Sequence, residues 1–198
     1  MSLARAKKTI VWDLDDTLND LMGAWLGWYH QRNPTQRFVP FADLHENPPV
    51  RLLGVSEETY LASLDAFRLS IEGRSLSPVP AVIQWFEAQG FSYQHHVLTA
   101  RPVATVSVAA EWVFAHFGRW VRHFHFVPAR RTTENIPDQG EAKSDAIARL
   151  GGADFFIDDC PENINAARTV VRKCVLVPKP WNDGVGTIVD VLASLIAP

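Results

Sequence analysis

Two apolar segments of this chain end in the same abrupt way, and that repetition constrains the fold more than any other feature. Ile10-Val11-Trp12 runs into Asp13-Leu14-Asp15-Asp16-Thr17, and Phe155-Phe156-Ile157 runs into Asp158-Asp159-Cys160-Pro161. Short apolar runs bounded by turn residues read as buried strands. Carboxylates at the mouth of a buried strand are costly unless something cationic sits among them. In an open α/β sheet the carboxyl ends of the strands are also where ligands bind. An Asp-rich turn, or an Asp cap ahead of the helix opened by Pro161, explains one acid at a time. Neither explains why two strands end alike.

The pattern around these segments alternates. It predicts strand 9–14, helix 81–89 stopped by Gly90, strand 95–99, helix 103–117 stopped by Gly118 and strand 123–127. It then predicts helix 143–150 stopped by Gly151-Gly152, strand 154–157, helix 161–171, strand 174–177 and a last helix near 187–195. Repeated β-α-β units with short connections imply an α/β fold with a parallel sheet and right-handed crossovers. From Leu18 to Pro78 the alternation stops. Periodic apolar residues there, among them Trp25, Leu26, Tyr29, Tyr60, Leu64 and Phe67, predict two to four helices. The aromatics Trp25, Trp28, Tyr29, Phe38 and Phe41 are either the small core of this insertion or contacts for a ring-bearing ligand.

Two weaker signals lie between the acidic strands. His96-Val97-Leu98-Thr99-Ala100-Arg101-Pro102 is a short strand ending in a hydroxyl and free backbone N–H groups, which suit phosphate oxygens. Lys143 falls at the start of a predicted helix, where a cation opposes the helix dipole and asks for an anionic neighbour. In order, then, the chain carries Asp-x-Asp-x-Thr, a strand ending in Thr, a Lys, and a strand ending in Asp-Asp. This order resembles the haloacid dehalogenase-like hydrolase superfamily, mostly phosphatases with an aspartate nucleophile, from about Thr9 to Val177. Val11 to Asp20 continuing into Gly23-Ala24-Trp25-Leu26 is similar to the 5'(3')-deoxyribonucleotidase group. Pro178-Lys179-Pro180-Trp181-Asn182 is similar to bacterial nucleotidase-like members.

The resemblance implies a Rossmann-like sheet of order 5-4-1-2-3, with a helical cap inserted after the first strand. Residues 1–18 and 78–198 would form the core and 19–77 the cap. It implies Asp13 as nucleophile, forming an aspartyl-phosphate, and Asp15 as the acid that protonates the leaving oxygen and then activates water. Mg²⁺ would be held by Asp13, the Asp15 carbonyl and Asp159, with Asp158 orienting water or Lys143; the two adjacent acids can exchange roles. Thr99, the Ala100 N–H and Lys143 would hold the phosphate, with Thr17 and Arg101 as further substrate-binding candidates. An acid at Asp15 speaks against the dehalogenase branch, because a halide needs no protonation to leave. The expected substrate is a (deoxy)nucleotide monophosphate. Sugar phosphates or other small phosphorylated metabolites, a phosphomutase, and a silent binding module are the alternatives.

Composition narrows the partners. A net charge of −3 gives no electrostatic reason to bind a nucleic acid polymer. No run of about 18 apolar residues is present, so no membrane span is expected. Met1 to Lys8 leads straight into a strand ending in acids and does not read as a secretory signal. Cys160 and Cys174 lack metal-ligand spacing and read as free thiols, which with the missing signal makes a cytoplasmic location the expectation. His123 and His125 share one face of a strand and read as polar-face residues. Arg130 and Arg131 lie in a long loop, either solvated or touching an anion.

Overall fold

The computed structural model describes residues 7–129, 131 and 141–196. Its centre is a five-stranded parallel sheet of order β3-β2-β1-β4-β5. The strands are β1 (Thr9–Trp12), β2 (Gln94–Arg101), β3 (Val121–Pro128), β4 (Ala153–Asp158) and β5 (Val171–Leu176). This is the order that the resemblance implies, and the α/β fold is the one that the alternation predicts. β1 is central, and Ile10, Val11 and Trp12 are wholly buried, as a strand covered on both faces requires.

Between β1 and β2 lie α1 (Leu21–Arg32), α2 (Val50–Leu53), α3 (Glu57–Leu69) and α4 (Ile71–Arg74), the helices predicted for the non-alternating stretch. They share a cluster of their own that holds Leu21, Met22, Trp25, Leu26, Tyr29, Tyr60, Leu64 and Phe67. The chain leaves and returns at one place: Asn19 bridges Pro78, and the Val79 N–H donates to the Leu18 carbonyl at 2.9 Å. α5 (Pro80–Gln89), α6 (Val106–Phe117) and α9 (Ile188–Ile196) cover one face of the sheet. α7 (Lys143–Arg149) and α8 (Pro161–Ala167) cover the other.

β1 stops at Trp12, two residues short of the expectation, β2 and β3 run a residue or two beyond theirs, and three further boundaries differ for a local reason. The helix expected over 161–171 stops at Ala167, and the strand expected at 174 starts at Val171. Thr169-Val170-Val171 is β-branched, and the Val170 N–H closes a turn onto the Ala167 carbonyl, so the run feeds the sheet instead. The helix expected from Val103 begins as a 3₁₀ turn, Val103–Thr105, after the extended Pro102, and becomes α-helical at Val106.

β2 lies on one side of β1 and β4 on the other, and successive strands proceed outwards from there in both directions. The carboxyl ends of β1, β2 and β4 therefore meet at the switch point of the sheet, where a ligand-binding crevice opens. The Asp13 N–H extends the ladder to the Ile157 carbonyl at 2.8 Å and so fixes the first acid beside the second pair.

Candidate active site

At that crevice lies a cleft of about 200 Å³. Its floor comes from the strand ends, with Asp13, Asp15, Asp16, Thr99, Ala100, Asp158 and Asp159, and from Lys143. Its other wall comes from the inserted segment, with Leu21, Met22, Asn47, Tyr60, Leu64 and Arg68.

Lys143 is the first residue of α7 and is 4% exposed. Its Nζ donates to Asp13 Oδ1 at 2.6 Å and to Asp158 Oδ2 at 2.8 Å. Burial alone would lower the ammonium pKa; the two carboxylates outweigh it and raise the value. Asp158 is fully engaged. Besides Lys143 it accepts from the Cys160 N–H at 2.8 Å and from Asn163 Nδ2 at 3.1 Å. Asp159 differs: Trp181 Nε1 donates to its Oδ2 at 3.0 Å, and among the described residues nothing donates to its Oδ1. Asp13, Asp158 and Asp159 present carboxylate oxygens that all lie within 4.8 Å of one another, all buried.

The charge balance there is poor. Burial, and then Asp158, Asp159 and Asp15, push the Asp13 pKa well above the carboxylate range despite Lys143. Burial, and then Asp16 and Asp158, push Asp159 up to about 8. Asp16 is held at φ 59, with its Oδ1 accepting the Met22 N–H at 3.0 Å; burial raises it to about 7, with Lys179 Nζ 3.8 Å away as partial compensation. A buried, oxygen-only cluster short of cations is what a hard divalent ion requires, so the residues present fit Mg²⁺.

Asp15 sits in the opposite situation. Arg101 grips it with Nη2 at 2.5 Å from Oδ1 and Nε at 3.0 Å from Oδ2, and Arg68 Nη2 adds a contact to Oδ2 at 2.9 Å. Burial would raise its pKa, but the two guanidiniums overcome that and hold it well below the usual range. Arg68 also pairs with Asp65 at 3.0 Å, and Asp65 with Arg131 Nε at 2.5 Å. A ladder of alternating charge thus runs from β2 through the β1 loop to α3 and Arg131.

Most of the sequence candidates converge. Asp13, Asp15, Thr99, Ala100, Lys143, Asp158 and Asp159 all line the cleft. Arg101 reaches the site through Asp15. Thr17 does not line the cleft; its hydroxyl is buried with no hydrogen-bond partner among the described residues. Trp25 and Tyr29 belong to the cluster of the inserted helices, with Trp28 and Phe41 packed against it, and Phe38 is 70% exposed, so none of these aromatics lines the cleft. Arg130 lies outside the described residues, and Arg131 pairs with Asp65. His123 and His125 stack with His96, and none of the three lines the cleft. Cys160 and Cys174 are free thiols, and burial pushes Cys160 up to about 12, which leaves no thiolate at neutral pH.

Sequence reasoning missed Arg68 and the hold of Trp181 on Asp159. Arg68 had a signal: it extends the stripe Tyr60, Leu64, Phe67, the buried face of α3, where a charge is out of place without a partner. Trp181 lies in the Pro178–Asn182 stretch that resembles nucleotidase-like members, but nothing in the sequence ties it to a residue 22 positions earlier.

No family model and no curated protein matches this chain. Solved structures do. A haloacid dehalogenase-like family hydrolase from Streptococcus pneumoniae superimposes with a TM-score of 0.58 at 14% identity, over 94% of this chain and 90% of that one. A haloacid dehalogenase-superfamily hydrolase of subfamily IA from Geobacter sulfurreducens gives 0.55 at 15% identity, over 98% and 99%. Protein Tyrosine Kinase A from Mycobacterium tuberculosis gives 0.62 at 13% identity, over 92% and 88%. With the strand order and the inserted helices, these matches show that the chain has the haloacid dehalogenase-like fold.

Proposed function

We propose that the protein is a Mg²⁺-dependent phosphatase of small phosphate monoesters that works through an aspartyl-phosphate on Asp13. The observation that carries this reading is Lys143 Nζ between Asp13 and Asp158, with Asp159 alongside and Asp15 two residues on, all on one cleft. Fold alone is compatible with a silent binding module. A module that only holds an anion has no evident need of a second acid poised beside the first.

In this reading the Asp13 carboxylate attacks phosphorus while Lys143 and the Thr99–Ala100 strand end receive the phosphoryl oxygens. Asp13, the Asp15 carbonyl and Asp159 would hold Mg²⁺. The ion would supply the positive charge that lets a carboxylate approach a phosphate. Asp158, saturated by Lys143, Asn163 and the Cys160 N–H, positions the lysine. Asp15, gripped by two arginines, is in the anionic form needed to take a proton from the water that attacks the phospho-aspartate. To protonate a leaving oxygen in the first step it must exchange a guanidinium for substrate. Arg68 is the one carried by the inserted helices. We assign residues 19–77 as a cap whose displacement makes that exchange possible and whose closure excludes water.

The substrate reading rests on the cap wall. Met22, Tyr60 and Leu64 offer an apolar and aromatic surface and Asn47 a polar edge, which suits a nucleoside leaving group. The deciding experiment measures phosphate release from nucleoside monophosphates, deoxynucleoside monophosphates, sugar phosphates and nitrophenyl phosphate, with Mg²⁺ and with chelator. Turnover of at least one class only with the metal is the expected result. No release from any of them in Mg²⁺ would leave the binding-module reading standing instead.

A further inference from the structure

The chain beyond β5 holds a group whose placement the proposed chemistry does not use. Asn182 folds this segment into a tight turn. Its Nδ2 donates to the Asp159 carbonyl at 2.7 Å and to the Val177 carbonyl at 2.9 Å. Its Oδ1 accepts from the Lys179 N–H at 3.1 Å and the Gly184 N–H at 2.9 Å. An amide with both ends filled leaves little freedom to what it frames. What it frames is Trp181, whose Nε1 donates to Asp159 Oδ2 at 3.0 Å. The other side of the same indole meets Phe41 edge-on at 5.9 Å between ring centroids and packs against the cluster of the inserted helices.

We propose that Trp181 is a positioning residue for the metal site. Its indole N–H occupies Oδ2 of Asp159 and leaves Oδ1 for the ion, and its ring makes that orientation depend on the inserted helices. The inference rests on the reading of Asp159 as a Mg²⁺ ligand. Three observations carry it. The indole is a donor only, so it engages one oxygen of Asp159 and cannot itself ligate the cation. Asp159 has no other side-chain donor among the described residues, whereas Asp158 has Lys143 and Asn163. The rest of the turn points the same way, because Lys179 Nζ lies 3.8 Å from Asp16 Oδ1 and 5.9 Å from the Trp181 ring centroid. Partners that orient ligating carboxylates typically contribute 10–100-fold to metal affinity.

The test is a calorimetric Mg²⁺ titration of the wild type, Trp181→Phe and Asp159→Ala, with turnover at saturating Mg²⁺ measured alongside. Phenylalanine keeps an aromatic ring against Phe41 and removes only the donor. The expected result is a dissociation constant about 10–100-fold weaker in Trp181→Phe, with turnover at saturating metal within about threefold of wild type. A role confined to packing would leave the constant unchanged, and wild-type Mg²⁺ affinity in Trp181→Phe overturns the inference while the phosphatase reading survives. No Mg²⁺ binding by the wild type overturns both. A second measurement does not depend on the variant folding: in ¹⁵N-labelled wild-type protein an indole N–H resonance must shift along the same Mg²⁺ binding curve. Indole signals that all stay fixed during the titration also overturn it.

Discussion

Asp15 and Asp159 line one cleft and live under opposite charge regimes. Asp15 has two guanidiniums on one carboxylate, while Asp13, Asp16, Asp158 and Asp159 share Lys143 and, at 3.8 Å, Lys179. Asp159 is buried and the Asp15 side chain is only 14% exposed, so burial does not separate them. The supply of cations does: it pulls one pKa far down and leaves the other at about 8. A site that keeps one carboxylate permanently charged and starves its neighbours of counter-charge is divided into a proton-handling pole and a cation-seeking pole.

The largest expected effect falls on the boundary between the poles. Asp13→Asn keeps shape and hydrogen-bonding reach but loses the nucleophile, and turnover should fall by about 10³-fold or more. Activity above a tenth of wild type in a folded variant would mean that the division has been drawn around the wrong acid.

Asp15→Asn should leave Mg²⁺ and phosphate affinity near wild type, because it alters only the proton-handling pole. Turnover of a nucleotide should drop by roughly 10²–10⁴-fold. The loss should be smaller, not absent, for nitrophenyl phosphate, whose leaving group needs little protonation. Single-turnover phosphorylation rates decide the matter: an equal loss with both substrates removes Asp15 from the role of leaving-group acid.

At the cation-seeking pole, Asp159→Ala should raise the Mg²⁺ concentration for half-maximal activity by about 10–100-fold, the span of lost metal-site contacts. Asp158→Ala should change it less and lower turnover instead, since Asp158 already serves Lys143 and Asn163. The reverse order, in a metal titration of both variants, exchanges the two assignments.

The smallest effect is on stability. Asp159 and Asp16 have folded-state pKa values of about 8 and about 7, above the ordinary carboxylate value of an unfolded chain. The native state therefore binds more protons than the unfolded state between about pH 4 and pH 8. Stability from these acids is fully present below pH 4 and is lost as pH rises through that window. Asp15 has the opposite sign, contributing above pH 4 and losing its contribution in acid. In chelator the melting temperature should fall by a few degrees from pH 5 to pH 8. Saturating Mg²⁺ should flatten that slope, adding about 2.7 kcal/mol at 100 times the dissociation constant. A slope indifferent to Mg²⁺ would separate the raised acids from the metal site.

The cation-seeking pole was legible in the sequence, and the proton-handling pole only in part. Asp13, Asp158 and Asp159 sit directly after apolar strands, and strand-end chemistry is local, so position along the chain predicts position in space. Lys143 was readable because its place at a helix start is unfavourable without an anion. Arg68 and Trp181 reach the site from a helix and a turn that no short-range pattern links to it. Their pairing is set by how the inserted helices pack against the crevice. The same limit explains the end of α8: β-branched Thr169, Val170 and Val171 fit a helical apolar stripe and a strand alike, and packing against β4 decided between them.

The bridge between Asn19 and Pro78 bears on how such a chain changes over generations. Because the two ends of the inserted segment are already hydrogen-bonded to one another, the ring it forms is closed whatever its contents. Lengthening a closed ring is cheap, about 0.6 kcal/mol for each doubling. The insertion can therefore be exchanged or resized while β1 and α5 keep their places. What an exchange cannot discard freely is Arg68, the cation through which the replaceable part of the molecule holds the acid of the permanent part.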